Sequence, residues 1–186
     1  MSDRSTGVIL VGILAIAALG LSGYMFAERL FPSSQSQQGS EQGSILVGYW
    51  EYLGKSTANP DHDDNSDWLI YLGDHQYNNS NYILVNNQRD RFTLTQAGYY
   101  KLTLTTWIDN IADDHIYRLI LLKNGIEDNL IYRIYGDPSQ PDEFIASSLT
   151  FYSDGNDYFE INAKSTLDFG FKPLMDHDML SIEYFL

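Results

Sequence analysis

Carboxylates and amides crowd into one short stretch, Asn59–Asp67, which reads Asn-Pro-Asp-His-Asp-Asp-Asn-Ser-Asp. Asp61, Asp63, Asn65 and Asp67 alternate along it, and alternating oxygen ligands are how calcium loops converge on one ion. The stretch is not an EF-hand, because Ser66 stands where glycine is needed and Leu72 where the closing glutamate belongs. With oxygen donors in the majority, calcium is the expected ion rather than zinc. The competing reading is a solvated loop whose aspartates bond the local backbone. A second run, Asp176-His177-Asp178, precedes the last apolar segment. Together with His62 it supplies the residue types of a His/carboxylate metal site or of acid–base catalysis. Nothing in the spacing brings the two loops together. The chain has no cysteine, no HExxH, no nucleophile elbow and no phosphate-binding glycine loop. Disulfides and thiolate chemistry are therefore excluded, and the expectation is a protein that is not an enzyme. Asn78-Asn79-Ser80 is an N-glycosylation sequon, expected in an exposed polar loop.

Charge narrows the partners. The chain carries a net charge of -14, and residues 44–186 hold 22 acidic against 9 basic side chains. Such a field repels phosphate backbones, so nucleic acid is not an expected partner.

The elements that must position these residues are strands. Ile45–Leu53, Trp68–Leu72, Asn81–Val85, Phe92–Leu94, Tyr99–Trp107, His115–Leu122, Leu130–Tyr135, Phe144–Tyr152, Tyr158–Ile161, Leu167–Phe171 and Met179–Leu186 are short apolar or alternating runs separated by turn residues. Lys123-Asn124-Gly125 is a hairpin signal. Phe92–Trp107 reads as strand, tight turn at Gln96-Ala97-Gly98, and strand, with one face buried. About ten short strands with no helix among them imply an antiparallel β-sandwich or barrel.

Ahead of this domain the chain is of another kind. After a short tail, residues 1–6, residues 7–27 are uncharged and almost wholly apolar. As a helix, the twenty residues from Gly7 to Phe26 extend about 30 Å, the thickness of a bilayer core. The expectation is a retained single-pass anchor, with a cleaved signal peptide and a prepilin-like leader as the competing readings. Ala15, Ala18 and Ser22 form a small-residue stripe suited to close helix contact. Residues 28–43 are a juxtamembrane segment and a Pro-, Ser-, Gln- and Gly-rich linker. The linker frees residues 44–186 from the membrane surface, and the charge flanks point weakly to an inside N-terminus and an extracellular domain.

The spacing Phe92, five residues, Gly98, one residue, Tyr100 resembles the F-x5-G-x-Y signature of the C1q-like globular head, which is related to the tumour necrosis factor (TNF) jelly roll. Leu119–Gly125, the segment from Leu149 to Glu160 and the closing strands from Phe169 to Leu186 are similar to corresponding pieces of that family. The resemblance implies a jelly-roll sandwich over residues 44–186, homotrimeric assembly through an aromatic face, and a protein or glycan ligand outside the cell. Phe92, Gly98 and Tyr100 are then structural, with Tyr100 facing inward and Gly98 in a backbone conformation closed to other residues. The expected function is a membrane-anchored, trimeric, partner-binding or envelope protein. The alternatives are a pilin-like filament subunit and, third, an enzyme on a jelly-roll scaffold.

Overall fold

A computed structural model of the protein describes residues 43–56, 60–62, 64–137, 139–172 and 178–186. Its strands are β1 (Ser44–Glu51), β2 (Gly54–Lys55), β3 (Asp67–Tyr71), β4 (Asp74–Asn78), β5 (Ile83–Val85), β6 (Phe92–Leu94) and β7 (Ala97–Asp109). They continue as β8 (Ile116–Lys123), β9 (Ile126–Tyr135), β10 (Glu143–Asp154), β11 (Tyr158–Lys164), β12 (Gly170–Phe171) and β13 (Met179–Phe185). The sole helical element among the described residues is one 3-10 turn, Pro60–His62.

All the pairings are antiparallel, and they form two sheets. Sheet 1 runs β10-β7-β13-β1-β4, with β12 added to β7. In sheet 2, β11 is central: β8 lies along one side with β9 beyond it. The other side of β11 is shared by β3 and β6, which carry β2 and β5 outward. This is a jelly-roll sandwich. Alternation decides which residues enter it. Along β7, Tyr100, Leu102, Leu104, Thr106 and Ile108 are buried while Tyr99, Lys101, Thr103, Thr105 and Trp107 face away. Facing them from sheet 2 are Trp68, Ile70, Phe92, Tyr117, Leu119, Leu121, Phe159 and Ile161, all at or below 1% exposure.

The strand reading of the sequence holds with three corrections. The segment Phe92–Trp107 does form two strands, but they do not pair as a hairpin. β6 pairs with β5 and β11 in sheet 2, and β7 with β10 and β13 in sheet 1. Period-two alternation fixes which side chains point inward, and both strands point inward from opposite sheets. Second, Asp74–Asn78 is a strand although it reads as polar loop. It is the edge of sheet 1, paired only with β1, where polar residues guard unpaired backbone. Asn78 therefore lies at a strand end rather than in a loop, and it is exposed. Third, of Leu167–Phe171 only Gly170–Phe171 pairs as strand.

The β8–β9 turn is as the sequence implies. Lys123 pairs with Ile126, leaving Asn124 and Gly125 as a two-residue loop with φ of 54° and 78°. Two consecutive positive values define the type I′ hairpin that Asn-Gly favours. Among the described residues no helix is long and apolar enough to cross a membrane. Residues 7–27, where the spanning segment is expected, lie outside the described residues.

Candidate functional site

In the acidic loop the side chains are spent largely on the protein itself. Asp64 Oδ1 accepts from the backbone N–H groups of Ser66 and Asp67, both at 2.6 Å, and from the Ser66 hydroxyl at 2.9 Å. That is the local turn bonding for which aspartate is suited. Asn65 Oδ1 accepts from Lys55 Nζ at 2.9 Å, and its amide donates to Asp168 Oδ2 at 3.3 Å. Asp67 Oδ1 accepts from His62 Nδ1 at 2.8 Å and Asn162 Nδ2 at 2.7 Å, while Lys164 Nζ stands 3.5 Å from Oδ2. Burial raises the Asp67 carboxyl, but the hydrogen bonds from Asn162 and His62 and the charge of Lys164 leave it below the ordinary carboxylate range. Asp61 sits in the 3-10 turn, and Asp63 lies outside the described residues. Among the described residues, no group of three or more His, Asp or Glu side chains is placed to hold a metal ion.

The second run divides in the same way. Asp176 and His177 lie outside the described residues. Asp178 is buried on sheet 1, where Oδ1 accepts from the Thr106 hydroxyl at 2.8 Å and the Trp107 N–H at 3.4 Å. His62, by contrast, belongs to Asp67 on sheet 2.

Phe92, Gly98 and Tyr100 all serve packing. The Phe92 ring stacks on Phe159 at 5.7 Å. Tyr100 is fully buried between Phe151 (6.1 Å) and Tyr184 (5.0 Å), and its hydroxyl donates to the Gln96 carbonyl at 2.8 Å. Burial and the neighbouring Tyr184 push its phenol up to about 12. Gly98 has φ of 152°, and a Cβ there would stand 2.6 Å from the Tyr184 ring.

Two charged junctions were not legible from the sequence. Asp157, in the turn before β11, accepts from Lys123 Nζ and Asn124 Nδ2, each at 2.8 Å, and from the Asp154 N–H at 2.9 Å. Burial raises this carboxyl, and those three donors bring it down to about 2. The Lys-Asn-Gly turn is thereby fastened to the turn joining β10 and β11. Arg91 donates from Nε and Nη2 to Glu160 Oε1 at 2.9 and 2.7 Å, with its guanidinium 4.0 Å over the Tyr158 ring. Only the two-residue alternation that turns Glu160 away from Phe159 and Ile161 hinted at an outward, paired carboxylate.

The outer surfaces of the sheets supply the remaining geometry. Sheet 1 presents Leu46, Tyr77, Tyr99, Phe144, Tyr152 and Met179, each 39–59% exposed. The rings of Tyr99 and Tyr152 meet edge to face at 5.3 Å. Beside them Gly98, Tyr99, Thr150 and Phe185 line an open hollow of about 440 Å³. This surface can take up a partner by apolar contact, but it carries no arrangement for bond-making chemistry.

No protein-family model matches the sequence, and no curated protein matches it either. Solved structures do. Murine APRIL, crystallised at pH 8.0, superimposes with a TM-score of 0.53 at 9% identity, over 76% of this chain and 99% of that one. Eiger TNF from S. frugiperda has a TM-score of 0.44 at 10% identity, over 77% and 93% of the two chains. At such identity the APRIL likeness shows the fold alone. The fold is a TNF-like jelly roll.

Proposed function

We propose that this chain is a homotrimeric, partner-binding surface protein, held to a membrane by residues 7–27 with its jelly roll outside the cell. The observation that carries the reading is the outer face of sheet 1. A monomer that turns Tyr77, Tyr99, Phe144 and Tyr152 out from one sheet leaves apolar area in water, which is characteristic of an interaction surface. Tyrosine and phenylalanine offer large contact area at small cost in side-chain freedom, so the patch suits association. The TNF-like fold supports a three-fold arrangement, and the apolar segment 7–27 supports the anchor. No step of chemistry is assigned to the chain.

The test is the sedimentation of the full chain in detergent, corrected for bound detergent. Three copies per particle are expected. A single copy at high micromolar concentration overturns the assembly, and loss of residues 7–27 from the mature N-terminus overturns the anchor.

A further inference from the structure

We propose that the hollow between the free edges of the two sheets is a saccharide subsite, with Asn78, Asn87 and Arg89 presenting its hydrogen-bonding groups. The inference rests on the reading above only in placing the jelly roll outside the cell, where glycans are met. β4 is the edge of sheet 1 and β5 an edge of sheet 2. Where Asn78, at the end of β4, approaches the turn joining β5 to β6, an open hollow of about 310 Å³ remains, bordered by Val85, Asn87 and Arg89. Trp50, almost fully buried, also lines it. That indole lies against Gly48, the partner of Asn78 in the β1–β4 register, and a Cβ at Gly48 would strike its ring.

Several polar groups around this hollow are left over from the fold. Arg89 uses Nη1 alone, which donates to the Tyr71 hydroxyl at 3.3 Å, the Gly73 carbonyl at 3.2 Å and Asp74 Oδ1 at 3.3 Å. Its Nε and Nη2 have no hydrogen-bond partner among the described residues. Arg89 also holds a φ of 57°, in the left-handed region that large side chains seldom enter. The Leu72 N–H, which donates to its carbonyl, and the Asn86 carbonyl, which accepts its N–H, keep it there. Residues held in this way cluster at ligand sites. The Asn86 side chain is committed: its amide donates to Asp90 Oδ1 at 2.7 Å, and its carbonyl accepts from the N–H groups of Asp90 and Arg91, both at 3.1 Å. The side-chain amides of Asn78 and Asn87 are exposed and have no partner among the described residues.

What fits is a neutral ligand dense in hydroxyl groups. Each amide offers two N–H donors and one carbonyl acceptor, and a hydroxyl both donates and accepts, so neighbouring hydroxyls match an amide on both counts. No carboxylate is among the described residues lining the hollow. The domain has 22 acidic and 9 basic side chains, and its field repels anions but leaves an uncharged saccharide untouched. The volume falls at the lower end of the range of about 300–1,000 Å³ for small-molecule sites, room for roughly one or two sugar rings. Asn78 points to the same chemistry independently. With the exposed Ser80 it forms the glycosylation sequon, so the saccharide has two sources, a glycan carried by this chain or one presented by a partner.

The experiment is saturation-transfer NMR on the full chain, made in a host without N-glycosylation and held in dodecylphosphocholine so that no sugar-headed detergent competes. The probes are chitobiose, mannobiose and lactose in millimolar excess. Transfer to at least one of them is expected, and Asn87→Ala is expected to weaken its binding about five- to tenfold, the worth of a neutral hydrogen bond or two, with the melting temperature unchanged. A second arm uses the chain from a secretory host that glycosylates Asn78. Shielding of the Asn87 side-chain amide from solvent exchange, reversed when the glycan is removed, assigns the hollow to the attached glycan. Transfer to a free disaccharide without such shielding assigns it to a partner's glycan. Neither transfer nor shielding, or an affinity unaltered by Asn87→Ala, overturns the proposal. A monomeric mass, or loss of residues 7–27, beside intact transfer overturns the reading above and leaves this one standing.

Discussion

Sheet 1 turns Tyr49, Tyr77, Tyr99, Tyr152 and Phe185 outward, whereas sheet 2 turns out Asp67, Lys164, Arg91, Glu160 and Arg118. Both sets come from the same period-two alternation, and both sheets bury equally apolar inner faces. They differ in what finishes them. On sheet 2 the carboxylates of Asp67 and Glu160 are each met by a cation, and Leu69, Ile120 and Leu122 form a small buried cluster on that outer side. Beside these pairs the sheet still exposes Leu84, Leu130 and Tyr135, at 50–62%. On sheet 1 no ion pair joins Lys101 to the opposed Glu183, and the apolar side chains lie uncovered. The two outer faces thus differ in ion pairing, and the association proposed above is assigned to sheet 1, where Tyr99 and Tyr152 meet.

Charging the outer face of sheet 1 is expected to have the largest effect. Tyr152→Glu, beside Tyr99, is expected to convert the proposed trimer to monomers while the circular dichroism of the sandwich is retained, because the side chain is half exposed within one chain. An unchanged mass would place the contact elsewhere. On sheet 2 the expected effect is on stability instead. Glu160→Ala leaves Arg91 without its carboxylate at a site where the Glu160 side chain is only 4% exposed. Arg91 is 40% exposed and takes up water once unpaired, so the loss is about 1–2 kcal/mol, to be read from urea unfolding with the particle mass unaltered.

Gly98 lies between these cases. Gly98→Ala sets a Cβ 2.6 Å from the Tyr184 ring at a φ of 152°, and such overpacking costs about 1–2 kcal/mol in the same urea measurement. The smallest effect is in the acid limb. Asp157 has its carboxyl lowered from 3.8 to about 2 in the folded chain. A depressed carboxylate contributes stability that is complete above the unfolded value and is lost as the pH falls through the folded one. The melting temperature should therefore decline between pH 3.8 and about 2, and Asp157→Asn should flatten that part of the decline. A decline of the same size in the variant would assign it to other groups.

The strands and their inner faces were legible, because alternation at Tyr100, Leu102 and Leu104 reports burial directly. Pairing was not, so Phe92–Trp107 read as one hairpin although its halves belong to different sheets. Asp74–Asn78 was missed since an edge strand owes its form to β1 and not to its own residues. The loop Asn59–Asp67 drew notice through its density of oxygen ligands. Its described side chains are instead largely committed by Lys55, Asn162 and Lys164, which come from β2 and β11, and that commitment has no signature in local spacing. Asp157 was hidden for the same reason, as its cation arrives from the hairpin 33 residues away at Asn124 and its neighbour Lys123.

The chain has no cysteine, so single thiols can report on each face. Thr150→Cys stands at the hollow of sheet 1 and Asp128→Cys on the outer side of sheet 2, both at exposed positions of one chain. Maleimide labelling of each, followed by mass spectrometry across a range of protein concentrations, measures directly which face is covered. The account predicts that Cys at position 150 is labelled slowly, and more slowly as concentration rises, while Cys at position 128 reacts at one rate throughout. Equal, concentration-independent labelling of both would contradict it.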